Sequence, residues 1–164
     1  MSSATITVIQ RAGLLSTTDE TKTAIKFLGI DSNTATITSY PIKIPNVGTK
    51  YSYEVYLAFK CTGAPTTQVT NFLVWTNGTI ATGLNITANS TQVADYIPPK
   101  NCLSDTGTRV DLADYVTGSR LSVSGTVTNI NDLSDWLVLQ LEVISTATQA
   151  TEEAYTLSYS YDES

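Results

Sequence analysis

Six side chains in two short stretches are the residues of this chain best placed, by type and spacing, to do chemistry. Asp105, Asp111 and Asp114 fall within ten residues, and Asn131, Asp132 and Asp135 form a second cluster. Oxygen ligands this close could hold a hard cation such as calcium, or supply the acid and base of a glycosidase. The spacing favours neither: it matches no EF-hand or repeat pattern, and nothing in it sets a carboxylate separation. Asp and Asn in turns bond their own backbone, and turn formation accounts for both clusters. The expectation is no catalytic residue, no metal and no cofactor, hence not an enzyme.

Histidine is absent, which excludes Ser-His-Asp and Cys-His hydrolysis, His-liganded zinc and imidazole pH switches. Cys61 and Cys102 are too few for an all-cysteine zinc site. They could close a disulfide across about 40 residues. The chain opens without a basic and apolar secretion segment, so two small buried thiols are the expected state. Three N-x-[ST] sequons begin at Asn77, Asn85 and Asn89, about the number chance supplies in a chain that is roughly a quarter Ser and Thr. Lys and Arg total 9 against 15 Asp and Glu, a net charge of −6 that argues against neutralising nucleic-acid phosphates. No apolar run approaches the ~20 residues of a membrane helix, so neither nucleic acid nor membrane is an expected partner.

Trp75, Trp136 and the nine tyrosines could form a sugar-stacking platform, as in carbohydrate-binding modules. Most lie on the apolar phase of an alternating pattern, which places them in a core. Tyr56 is out of phase with Tyr53 and Leu57 and is the aromatic expected to face outward.

The elements that must position these residues are strands. In 155–161, Tyr155, Leu157, Tyr159 and Tyr161 alternate with Thr156, Ser158 and Ser160. In 51–59, Tyr51, Tyr53, Val55, Leu57 and Phe59 share a face. A period of two marks an antiparallel strand with one face in a core. The same logic predicts strands at 5–10, 24–29, 34–40, 71–76, 83–88, 91–96, 119–128 and 136–145, the last apolar enough on both faces for the middle of a sheet or an interface. Asn77-Gly78 is the strongest hairpin signal. Only 110–116 and 18–23 could hold a helical turn. Nine or ten short strands in 164 residues predict one all-β antiparallel sandwich of jelly-roll type.

The sandwich is expected to occupy 19–164, preceded by a strand-like arm over 1–18. Residues 5–10 could be its first strand. The sharper reading has Thr5, Ile6, Thr7, Val8 and Ile9 pair with a neighbouring subunit, with Tyr56 as a further intersubunit contact.

The segments 51–57, 71–78 and 137–143, with the ending 159–164, resemble small β-sandwich virion proteins of tailed bacteriophages. That resemblance implies a non-enzymatic head-decoration or tail subunit. It would be made in the host cytoplasm, reside in the virion, and form homo-oligomers bound to a major capsid or tail protein. A sugar-directed host-attachment module and a strand-exchanging filament or tail subunit are the alternatives.

Overall fold

The computed structural model describes residues 3–13, 19–32, 34–76, 80–102, 107–148 and 155–164. Among these, ten strands follow in order: β1 (Thr5–Arg11), β2 (Glu20–Thr21), β3 (Thr49–Tyr51), β4 (Val55–Gly63), β5 (Val69–Thr76), β6 (Leu84–Asn89), β7 (Arg109–Asp111), β8 (Leu121–Val123), β9 (Leu137–Ile144) and β10 (Leu157–Glu163). One 3₁₀ turn, Leu112–Asp114, lies between β7 and β8, inside one of the two segments read as capable of a helical turn. In the other, residues 20–21 are β2.

All pairings are antiparallel. The larger sheet has seven strands in the order β2-β1-β4-β9-β6-β7, with β3 also on β9; the smaller has the order β10-β5-β8. The fold is therefore all-β, two antiparallel sheets packed as a sandwich. Its seven-plus-three division departs from the two balanced sheets of an eight-stranded jelly roll.

Alternation explains the packing. Val55, Leu57, Phe59 and Cys61 of β4 face the core between the sheets, where they meet Val69, Phe72 and Val74 of β5. Phe59 and Phe72 stack across the gap with ring centroids 5.1 Å apart and planes 4° from parallel. On β10, Leu157 and Tyr161 pack on the same core, and the Tyr159 ring lies 5.1 Å from Phe59. The β9 strand sits between β4 and β6, buried on both faces as its apolar run predicts.

Several sequence expectations give way to long-range packing. Segments 24–29, 34–40 and 91–96 alternate like strands yet join no sheet; the last makes only an isolated bridge from Val93 to Trp136. The predicted strand 51–59 is broken at 52–54, where Tyr53 and Glu54 donate their N–H groups to Leu28 and Lys100 carbonyls instead of β9. Only Leu121–Val123 of 119–128 is a strand. The Asn77-Gly78 turn lies outside the described residues, but the hairpin is excluded because β5 and β6 belong to different sheets. The return passes Gly83 at φ +82°, where an added Cβ would stand 2.4 Å from the Ala147 Cα.

Nor is the start of the chain an outlying arm where it is described. β1 lies between β2 and β4, pairing with β4 from Thr5 to Arg11, and Ala4, Ile6 and Ile9 are buried. Both cysteines are unbonded; Cys61 is buried, while Cys102 is exposed in the loop after Pro98-Pro99, contrary to the expectation of two buried thiols.

Candidate functional site

The outer face of the larger sheet gathers three of the residues singled out by sequence, Ile9, Tyr56 and Trp136. Odd-numbered positions of β1 and even-numbered positions of β4 and β9 point there, forming a second cluster of Ile9, Tyr56, Ala58, Trp136 and Val138. Tyr56 thus faces away from the main core, as its phase requires, but it is 0% exposed rather than a surface contact. The Tyr96 ring meets it edge-on at 4.9 Å, and Trp136 packs at 6.3 Å from Tyr56 and 5.8 Å from Tyr96. Alternation reveals a side chain's face but not whether another segment covers that face.

An arginine closes the cluster. Arg11 lies 4.6 Å from the Trp136 ring centroid and 5.5 Å from that of Tyr96, and pairs with Asp19 at 2.6 Å. The Tyr96 hydroxyl donates to the Gly13 carbonyl at 2.7 Å, and Asp31 accepts the Gly13 N–H at 2.8 Å. Burial, then the Asp31 charge, pushes the Tyr96 phenol up to about 12 against the opposing pull of Arg11. Burial likewise raises the Asp31 carboxyl, countered by the Gly13 N–H. On the smaller sheet, Arg120 sits 4.3 Å from the Trp75 ring centroid. Both tryptophans that could stack a sugar carry a guanidinium over one face, and Trp136 is only 3% exposed.

A buried polar seam runs beside this cluster. Asn89, the last residue of β6, accepts the Val138 N–H at 2.8 Å and donates to the Trp136 carbonyl at 3.3 Å, so its carboxamide takes a place in the sheet ladder. Gln140 donates to the Ser52 and Cys102 carbonyls at 3.0 and 2.9 Å. Arg109 donates to the Val138 and Thr87 carbonyls at 2.8 and 2.9 Å. Burial brings its guanidinium down to about 10, although Glu54 and Glu142 favour the charged form. These groups hold strands in register and present no activated nucleophile. The sequence could not single them out, because their role depends on partners 22 to 88 positions away.

Two residues of the acidic clusters, Asp132 and Asp111, serve turns. Asp132 accepts the N–H groups of Thr128 and Asn129 at 3.0 and 2.9 Å, and those donors lower its pKa. Asp111 caps the 3₁₀ turn by accepting the Ala113 N–H at 2.8 Å. Asp105 lies outside the described residues. Among those described, no three carboxylates or thiols converge as a metal site.

The remaining feature is an edge. Ser164 and Gln68 exchange both backbone hydrogen bonds at 3.0 Å. Ser158, Ser160 and Asp162, in step with Ser164, therefore turn their peptide groups toward β5, whereas Leu157, Tyr159, Tyr161 and Glu163 turn theirs outward. Beyond the β5 ladder, no backbone bond from those four reaches another described residue. The two tyrosine hydroxyls donate instead to the Ile6 and Ala4 carbonyls of the β1 side at 3.3 and 3.2 Å. Comparison of the chain with protein-family models, curated proteins and solved structures finds no match.

Proposed function

We propose that this chain is a non-enzymatic structural subunit of a virus particle. In this reading it is a capsid decoration or stabilising protein that associates with copies of itself and with a major capsid or tail protein. The observation that carries the reading is the outward edge of β10, seven residues long and, among the described residues, paired on one side only. Such an edge is a template for another strand. A second copy's β10, antiparallel about Ser160, would set Tyr159 opposite Tyr161 and Asp162 opposite Ser158, so no two carboxylates face each other. Each hydrogen bond gained contributes roughly 0.5–1.5 kcal/mol net. A chain with only 15% charged residues, and with Val47, Val116 and Ile130 exposed, adds uncharged contact area for larger partners. The guanidinium covers over Trp75 and Trp136 weigh against the sugar-platform alternative, and the internal position of β1 weighs against exchange of that strand.

Light scattering coupled to size exclusion tests the self-association. The wild-type chain is expected to form a dimer or larger species. Ser158→Glu, which sets a carboxylate opposite Asp162 of the second copy, is expected to be monomeric with an unchanged circular dichroism spectrum. A wild-type chain that stays monomeric at its highest soluble concentration overturns this edge as the contact.

A further inference from the structure

We propose that Arg120, seated over Trp75, receives the Asp162 carboxylate of a second copy across the β10 edge. The inference rests on the assembly reading and names the side-chain contact that gives that edge its partner. Phe72 and Val74 of β5 and Leu157 of β10 take the inner face of the smaller sheet, so Trp75, Ser158 and Ser160 take the outer one. There Arg120 is held from three directions. Its Nε donates to the Thr117 carbonyl at 3.0 Å, its guanidinium carbon lies 4.3 Å from the Trp75 ring centroid, and Nη1 approaches the Ser160 hydroxyl at 3.5 Å. The side chain thus reaches across β5 to the free strand. It is exposed and forms no ion pair among the described residues.

The register of the edge supplies the carboxylate. With two β10 strands antiparallel about Ser160, Asp162 of the second copy stands opposite Ser158, on the same outer face. Even-numbered residues turn their peptide groups to β5, so across the new edge they form the non-hydrogen-bonded pairs, about 4.5 Å apart at Cα with side chains close. Trp75 stands opposite Ser158 on its other side. One row therefore runs Trp75, Ser158, then the second copy's carboxylate, and the guanidinium over Trp75 lies beside that row, within reach of a neighbouring or diagonal side chain. Arg120 has an acidic neighbour in its own chain too, but Asp162 of the same copy is four residues along β10 from Ser158. There its carboxylate accepts the Asn71 amide at 2.8 Å, and it too forms no ion pair among the described residues. Two-fold symmetry makes the contact twice and sets the four charges in alternating sign around Ser160. A planar fork already stacked on a ring loses little freedom on meeting a carboxylate. Backbone bonds alone leave an edge indiscriminate, and copies each carrying −6 repel. The paired opposite charges favour this one partner and orientation.

Charge exchange between two variants of the full chain provides the test, with self-association read by sedimentation equilibrium and folding by circular dichroism. Arg120→Asp alone sets like charges at both contacts, as does Asp162→Arg alone, and each is expected to weaken association about tenfold, the scale of two exposed pairs made repulsive. In an equimolar mixture, a pair made of one copy of each variant has opposite charges at both contacts. The mixture is expected to associate as tightly as the wild-type chain. If Asp162→Arg does not fold, neutral changes decide. Arg120→Gln, Asp162→Asn and their combination should all weaken association to the same extent, about threefold, because either change alone removes the pair. A wild-type chain that stays monomeric overturns the assembly reading and this contact with it. A wild-type chain that associates while mixing restores nothing, or whose neutral losses simply add, overturns the contact alone and leaves the edge reading standing. An ion pair within one chain gives that second result, since mixing cannot repair it.

Discussion

Asn89 illustrates how much of this fold hangs on single polar side chains inside the larger sheet. Its carboxamide is fully buried and answers one backbone donor and one backbone acceptor of the segment entering β9. Replacing it with alanine strands both groups, each an unsatisfied buried partner worth about 1–3 kcal/mol. Asn89→Ala is therefore expected to lower the free energy of unfolding by about 2–4 kcal/mol in urea melts, a large share of a typical domain's stability. Glu163 makes a different kind of contribution. Its carboxylate accepts the Ala4 and Thr66 N–H groups at 2.9 and 3.0 Å, tying both to the end of β10, and those bonds hold its pKa below the ordinary value of 4.5. A depressed carboxylate stabilises the fold fully above its unfolded pKa and loses that contribution as pH falls through the folded one. The urea midpoint of the wild-type chain should thus fall more steeply below about pH 4.5 than that of Glu163→Gln, while Asp132, common to both, cancels from the comparison. Equal slopes would show that the carboxylate charge is immaterial to the clamp.

At the scale of elements, the pairing of β5 with β10 contains one irregularity with a chemical cause. The register shifts between Ser160 and Asp162, so that Asn71 and Phe72 together oppose Tyr161. Asn71 takes the extra position at φ 53°, and its amide donates to Asp162 at 2.8 Å. Asparagine tolerates the left-handed region better than other residues with a Cβ. Asn71→Val should cost about 1–2 kcal/mol in thermal or urea melts from backbone strain, while Asn71→Gly should stay within a few tenths apart from the lost side-chain bond. This bulge was invisible in sequence, where 71–76 reads as an uninterrupted strand. The strands themselves were legible wherever alternation and burial agree: the core faces of β4 and β10 carry the residues read onto them, and β9 is central as its two-sided apolar run implies. Segments 24–29 and 34–40 have the same pattern and fail for a reason no local pattern contains. Ile25 and Phe27 pack against the main core, Leu28 is buried outside any sheet, and Gly29 bonds to the Tyr40 carbonyl rather than to a strand. The Tyr56 cluster escaped notice similarly, since its cover comes from Tyr96 and Trp136, 40 and 80 positions away.

At the scale of the whole molecule, β1 is the element whose role most separates folding from assembly. With Ala4 just before it, it supplies Ile6 and Val8 to the core and Ile9 to the outer cluster, so it joins the two apolar bodies of the fold. It also meets the smaller sheet through polar bonds: the Tyr159 and Tyr161 hydroxyls donate to the Ile6 and Ala4 carbonyls, and the Glu163 carboxylate accepts the Ala4 N–H. Losing one buried isoleucine costs about 2–5 kcal/mol, and this strand carries two along with its ladder to β4. Deleting residues 1–11 should therefore exceed the stability margin of a domain this size and leave an unfolded chain, read as lost near-ultraviolet circular dichroism and the absence of a cooperative melt. The opposite outcome, a folded truncation that has lost only its oligomers, would restore β1 to the intersubunit role that its terminal position suggests. A milder pair of changes separates closure from core packing. Tyr159→Phe with Tyr161→Phe keeps both rings against Phe59 and Phe72 but removes the two hydroxyl donors that meet β1. Each part-buried bond removed should cost about 0.5–1.5 kcal/mol, so the double variant should melt cooperatively at a lower temperature and retain the wild-type spectrum. Because those tyrosines turn only their peptide groups outward, the β10 edge stays available, and the same variant should associate as the wild-type chain does once its stability loss is allowed for.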